Sequence, residues 1–214
     1  RCVSCGQCLV SCPFGAIVDK SQIFQVVRSI AEGNTVVAIV APSFVGQFGK
    51  NVTVPKFVAA MKQLGFSDVV EVAAGADVCA IEEARDFVEK VPAQQKFLAT
   101  SCCPSWRMMA RRLFPDESGN ISMTYTPMIY TARLVKHTHP GSKVVFIGPC
   151  AAKKLEAMQQ ELRSDVDFVL TYEELMGIFE AKAIDFSQLP DTDDLQDASG
   201  LGRGFAAAGG VAAA

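Results

Sequence analysis

Apolar positions along the chain recur with two different periods. Between Ser21 and Gly33, Ile23, Val26, Val27 and Ile30 fall at helical spacing and predict a connector helix. Val36 to Val40 is a short, mostly β-branched run, which predicts a buried strand ending at Ala41-Pro42-Ser43. Val54 to Leu64 is amphipathic and stops at Gly65, a helix with a glycine C-terminal signal. Val69 to Val72 predicts a second strand. Ala76 to Lys90 predicts a long helix, with Asp77 near its start and Lys90 near its end to match the helix dipole.

Phe97 to Ala99 predicts a third strand, and Ser105 to Phe114 and Thr126 to Lys136 predict helices. Lys143 to Ile147 and Asp165 to Leu170 read as strands, Tyr172 to Ala181 as a helix, and 187–204 as a polar, glycine-rich surface connection. Strand alternating with helix predicts an α/β fold of largely parallel sheets flanked by helices. In such sheets ligands gather beyond the carboxyl ends of the strands. Ala41-Pro42, Cys102-Cys103-Pro104 and Pro149-Cys150 all fall there.

Composition narrows the function classes. Of the 214 residues, 50% are hydrophobic and 20% charged, enough for a packed core and unlike a disordered chain. A net charge of −3 leaves no electrostatic footprint for nucleic acid. The longest apolar stretch, Val36 to Phe48, is broken by Pro42 and Gly46 and is too short for a membrane span. A cytoplasmic location is expected. Export stays open, because the chain starts at Arg1 with a motif already under way.

The eight cysteines change the picture most. A disulfide scaffold would spread them through a short secreted chain, whereas here four lie within eleven residues and two are adjacent. Cys2-x-x-Cys5-x-x-Cys8-x-x-x-Cys12-Pro13 has the spacing of bacterial ferredoxin-type 4Fe–4S ligands, including the terminal Cys-Pro. Soft thiolates suit iron–sulfur or zinc, and the spacing favours iron–sulfur. In two-cluster ferredoxins the fourth cysteine serves the other cluster, so Cys2, Cys5 and Cys8 would share one cube and Cys12 would close a second. Residues 1–20 are thus expected to be part of a ferredoxin-like 4Fe–4S segment, distinct from residues 21–214.

Adjacent Cys102 and Cys103 cannot easily ligate one metal tetrahedrally, which points to different tasks; read alone, they also fit two buried small hydrophobes. Cys79, among apolar neighbours on a helix, reads as a buried thiol. Lys153 and Lys154 follow Cys150 by about one helical turn and, alone, read as a solvated face. So do Glu82, Glu83 and Asp86 on their helix, and Arg107, Arg111 and Arg112 on theirs. Docking of an acidic ferredoxin on those arginines is the alternative.

Taken together, three strings resemble the catalytic domain of the iron-only (FeFe) hydrogenases. They are Thr100-Ser101-Cys102-Cys103-Pro104-Ser105-Trp106, Pro149-Cys150-Ala151-Ala152-Lys153-Lys154-Leu155-Glu156, and Gly202-Arg203-Gly204-Phe205 through Gly209-Gly210-Val211. The resemblance extends over Ala41 to Gly49, Gly75 to Ala84 and Leu170 to Leu175. It implies an H-cluster, a 4Fe–4S cubane joined to a di-iron subsite carrying carbon monoxide and cyanide, and the reaction 2H⁺ + 2e⁻ ⇌ H₂. Cys103 and Cys150 match two of four cubane ligands. Cys102 matches the last proton carrier, with an outward path through Glu83, Ser122 and Asp86. Lys153 matches the lysine that hydrogen-bonds a cyanide, and Ala41-Pro42-Ser43 a strip lining the same pocket. The implied partners are ferredoxin or another redox protein, maturation proteins, H₂ and protons, in an anaerobic cell.

Two further cubane cysteines of the family lie beyond the position of Ala214, so the resemblance implies a catalytic domain cut short at its C-terminus and an isolated chain that evolves no hydrogen. Three positions depart from the prototypes: Gly148 and Ala212 stand where they carry methionine, and Met128 where they carry glutamine. The first two changes imply a roomier or differently polar pocket. All three resemble divergent, sensory members of the family, while the retained Cys102 argues for turnover. A hydrogenase-like iron–sulfur assembly protein is the rival expectation.

Overall fold

The computed structural model describes residues 2–191, 195 and 198–213. Its centre is a four-stranded parallel sheet: β1 (Val36–Val40), β2 (Asp68–Glu71), β3 (Lys143–Gly148) and β4 (Phe168–Thr171), in the order β2-β1-β3-β4. β1 and β3 pair directly, from Val36 opposite Lys143 to Val40 opposite Ile147. Every residue of β1 is buried, as a strand covered on both faces requires. Its side chains alternate accordingly. Val36, Ala38 and Val40 enter one core with Phe57, Met61, Leu175 and Phe179, while Val37 and Ile39 enter a second with Met128, Ile129 and Val135.

The helices that make those cores carry readable start and stop signals. α1 (Gln7–Ser11) lies in the cysteine-rich segment and α2 (Ile23–Ala31) follows it. α3 (Val54–Leu64) begins at Thr53, whose hydroxyl accepts from Lys56 N at 3.4 Å, and ends at Gly65, whose φ of 104° only glycine adopts without strain. α8 (Tyr172–Ala181) opens with a reciprocal capping box between Thr171 and Glu174. Between them lie α4 (Val72–Lys90), α5 (Pro104–Leu113), α6 (Pro127–Thr138) and α7 (Ala152–Ala157), and beyond α8 come α9 (Gly200–Gly204) and α10 (Gly210–Ala213). α4 and α6 approach closely at Gly75, where a Cβ would stand 2.3 Å from the Pro127 carbonyl oxygen.

Four expectations are corrected. Phe97 to Ala99 is no strand of the sheet: Ala99 makes one isolated parallel bridge to Ile121. The run holds no β-branched residue to favour a pleated surface. α4 starts at Val72 directly after β2, which places Asp77 in its second turn rather than at its start. There Asp77 accepts from the backbone N–H groups of Ser199 and Gly202, at 2.8 and 2.9 Å. β4 starts only at Phe168, because the preceding Asp167 turns its carboxylate onto Lys136, Lys143 and the Val144 N–H, at 2.6, 2.9 and 2.9 Å. Within the expected surface connection 187–204, residues 192–194, 196 and 197 lie outside the described residues. Gly200–Gly204 forms α9, docked on α4.

Candidate functional site

The chain leaves β1 for β2 on one side and later returns to β3 on the other, so strand order reverses between β1 and β3. Such a reversal opens a crevice beyond the strand ends. A cavity of about 310 Å³ lies at that place, and Ala41, Pro42, Ser43, Cys102, Cys150 and Lys153 all line it. Segments far apart in sequence thus meet because β1 and β3 are adjacent. Met128, Phe146, Phe205 and Ala206 complete much of the wall.

Lys153 is held rather than mobile. Its ammonium donates to Glu156 Oε2 at 2.7 Å and to the Cys102 carbonyl at 3.0 Å. Glu156 is 1% exposed, and its other oxygen accepts from Thr126 Oγ1 at 2.9 Å. Sequence reasoning gave Glu156 and Thr126 no task. The Lys-x-x-Glu spacing on a helix was the available signal, since residues three apart share a face. The strip at Ala41 to Ser43 has a comparable support. Tyr172 donates to the Ala41 carbonyl at 3.1 Å and shares a 2.7 Å hydrogen bond with Ser43 Oγ. Burial pushes the Tyr172 hydroxyl up to about 12, so it remains a donor.

Gly148 does not leave the cavity roomier. A side chain there would meet the Phe146 ring at 2.6 Å. Phe146, two positions earlier on the same face of β3, fills that space and lines the cavity.

Cys102, Glu83 and Ser122 come together beside the cavity. Burial raises the Glu83 carboxyl above its usual range, opposed by hydrogen bonds from the Ser122 hydroxyl and the Ser101 N–H. Glu83 Oε1 is buried without a hydrogen-bond partner among the described residues. A protonated carboxyl there carries no charge to desolvate. Burial also raises the Cys102 thiol, against the nearby Lys153 charge. Asp86 lies three residues beyond Glu83 on α4 and pairs with Lys90 at 2.8 Å, toward solvent. Cys79 is buried as expected, and burial pushes its thiol up to about 12, leaving it an unreactive neighbour.

The remaining cysteines are arranged differently. Cys103 is exposed at the N-terminus of α5, where its sulfur accepts from Trp106 N at 3.4 Å, and it is not in the wall with Cys102 and Cys150. Cys2 and Cys8 line a second cavity, of about 430 Å³, between the cysteine-rich segment and α7. Among the described residues no three Cys, His, Asp or Glu side chains stand together as a ready metal site. The chemistry of the donors nevertheless suits clusters. Hydrogen bonds from the Ser4 backbone lower the Cys2 thiol, and those from the Phe14 and Ala16 backbone lower Cys12. Backbone N–H groups aimed at sulfur favour the thiolate, the form that binds iron.

No described helix is long and apolar enough to cross a membrane. Residues 34–214 match the family described as Iron only hydrogenase large subunit, C-terminal domain, and residues 1–18 match the 4Fe-4S binding domain. The chain is 32% identical to the NADP-reducing hydrogenase subunit HndD of Solidesulfovibrio fructosivorans, across 98% of this chain and 41% of that protein. It is 33% identical to the cytosolic Fe-S cluster assembly factor NAR1 of Phaeosphaeria nodorum, across 52% of this chain and 20% of that one. The apo FeFe-hydrogenase HydA1 of Chlamydomonas reinhardtii, in a variant form, superposes with a TM-score of 0.73 at 23% identity, over 83% of this chain and 52% of the other, a likeness of fold. The chain therefore spans about two fifths of the hydrogenase subunit it matches over nearly its whole length.

Proposed function

The chain belongs to the iron-only hydrogenase large-subunit family, and from that premise we propose that it serves an enzyme interconverting protons and H₂, 2H⁺ + 2e⁻ ⇌ H₂. The observation that carries this reading is the meeting of Cys102, Cys150 and Lys153 on one cavity at the strand-order reversal. The family implies 4Fe–4S clusters and an H-cluster, and the donors present fit them: soft thiols, backbone N–H groups on sulfur, and a fixed ammonium. When bound, the di-iron subsite supplies the open iron position at which protons and electrons combine.

This chain's own residues would do the rest. Cys103 and Cys150 are the candidate cubane ligands, and Cys2, Cys5, Cys8 and Cys12 those of the ferredoxin-like clusters. Lys153, oriented by Glu156 and the Cys102 carbonyl, offers a charged N–H to an anionic ligand such as cyanide. Ala41-Pro42-Ser43 forms a wall held by Tyr172. A proton would travel from Asp86 through Ser122 and Glu83 to the Cys102 thiol, and burial of Glu83 brings its affinity for that proton closer to neutral pH. Electrons would come from ferredoxin or another redox protein, after maturation proteins install the cofactor, in the cytoplasm.

The likeness to a cytosolic iron–sulfur assembly factor favours a second reading, a cluster-handling protein without H₂ turnover. Infrared spectroscopy of the full-length, matured protein separates the two. Bands from carbon monoxide and cyanide, with H₂ evolution from reduced methyl viologen, are the expected result. A protein fully loaded with 4Fe–4S clusters that lacks those bands refutes the hydrogenase reading.

A further inference from the structure

Residues 2–20 contain no buried residue, so apolar burial contributes little to holding this segment on the sheet domain. Polar contacts at its two ends hold it instead. At the start, Arg112 Nη1 of α5 donates to the Cys2 carbonyl at 2.7 Å. At the end, Lys154 of α7 donates to Asp19 Oδ1 at 3.0 Å and the Lys20 carbonyl at 3.3 Å. The same ammonium donates to Glu174 Oε1 at 2.9 Å. Glu174 is fixed by the capping box of α8, its second oxygen accepting from Thr171 N at 2.8 Å.

Lys154 therefore ties the cysteine-rich segment to the end of β4. Its side chain is 10% exposed, and it faces two carboxylates at once. Its neighbour Lys153 serves the catalytic cavity, and Cys150 lies just before the same helix. A six-residue helix thus presents one lysine to each of the two cysteine-bearing regions.

We propose that Lys154 is a positioning residue that sets the distance between the thiols of Cys2 and Cys8 and the thiol of Cys150, and so governs electron delivery to the catalytic cavity. The electron-delivery part rests on the hydrogenase reading; the anchoring part does not. Removing the ammonium leaves Asp19 and Glu174 facing each other with like charge and no shared donor. Arginine, with the same charge and several donors, can replace it.

The test compares K154M and K154R with the natural full-length protein carrying its clusters. Amide hydrogen exchange reads the anchor, and pulsed paramagnetic resonance reads the coupling between reduced centres. K154M is expected to speed exchange across residues 13–22 at least tenfold, to weaken and broaden the coupling, and to leave the Val36–Val40 amides unchanged. K154R restores both signals. Unchanged exchange over 13–22, or equal acceleration in Val36–Val40, overturns the proposal, and so does a loosened segment with unaltered coupling. If the natural protein lacks a hydrogenase-type centre, the hydrogenase reading falls, and the exchange measurement alone decides the anchor.

Discussion

Replacing Glu156 with leucine should destabilise the chain more than replacing Glu156 and Lys153 together. The carboxylate is 1% exposed and sits 2.7 Å from the Lys153 ammonium, which is itself 13% exposed. E156L leaves that ammonium with the Cys102 carbonyl alone and strands the Thr126 hydroxyl. Breaking a buried ion pair on one side costs about 3–5 kcal/mol. K153M leaves the mirror-image defect, a buried carboxylate bonded only to Thr126, at a similar cost of about 3–5 kcal/mol. In the double variant K153M/E156L neither charge remains to be desolvated. Its loss should be no greater than that of either single change, which implies a coupling of about 3 kcal/mol or more, at the upper end of the range for contacting residues. Urea unfolding of the four proteins, with equal m-values, measures the cycle. For a chain of this size each kcal/mol moves the melting temperature by roughly 2–4 °C, so either single variant should melt about 6–20 °C lower. Additivity within about 0.5 kcal/mol would refute the argument that Glu156 and Lys153 form one buried unit.

Two further outcomes are expected. Burial raises the Glu83 carboxyl above the ordinary carboxylate range; its contribution to stability is complete below the unfolded value and is lost as pH rises through the folded one. Thermal melts of E83Q between pH 4 and 8 should lack that decline, and a wild-type slope retained in E83Q would contradict it. G75A should destabilise the α4–α6 contact by about 1–3 kcal/mol, the usual cost of overpacking, because the new methyl would lie 2.3 Å from the Pro127 carbonyl oxygen; a neutral melting temperature would show that the two helices can separate there.

Patterns with a strong local cause were legible from the chain alone. Val36–Val40 is buried on both faces, and its β-branched run announced that. Gly65 marked the end of α3, because capping depends on one or two side chains; Thr53 and Thr171, which open α3 and α8, carry the same kind of local signal and were not read in advance. Strand ends were less legible. Asp167 was expected inside a strand and Asp77 near a helix start, yet each turns its carboxylate to partners brought near by packing. Phe97 to Ala99 had apolar residues but no β-branched ones, and it makes only one isolated bridge, to Ile121.

The amino-acid order alone determined the α/β class, the helices bounded by local caps, and the cysteine strings whose spacing and sequence carry the family resemblance. Those depend on neighbours a few residues apart. Only the tertiary structure decided that Cys102, Cys150, Lys153 and Ala41-Pro42-Ser43 share one cavity, that Phe146 takes the space beside Gly148, and that Glu156 and Lys154 act as fasteners. The shared cavity and the contacts of Lys154 with Asp19 and Glu174 require segments distant in sequence to meet, and the cavity follows from placing β1 beside β3, which no local pattern encodes.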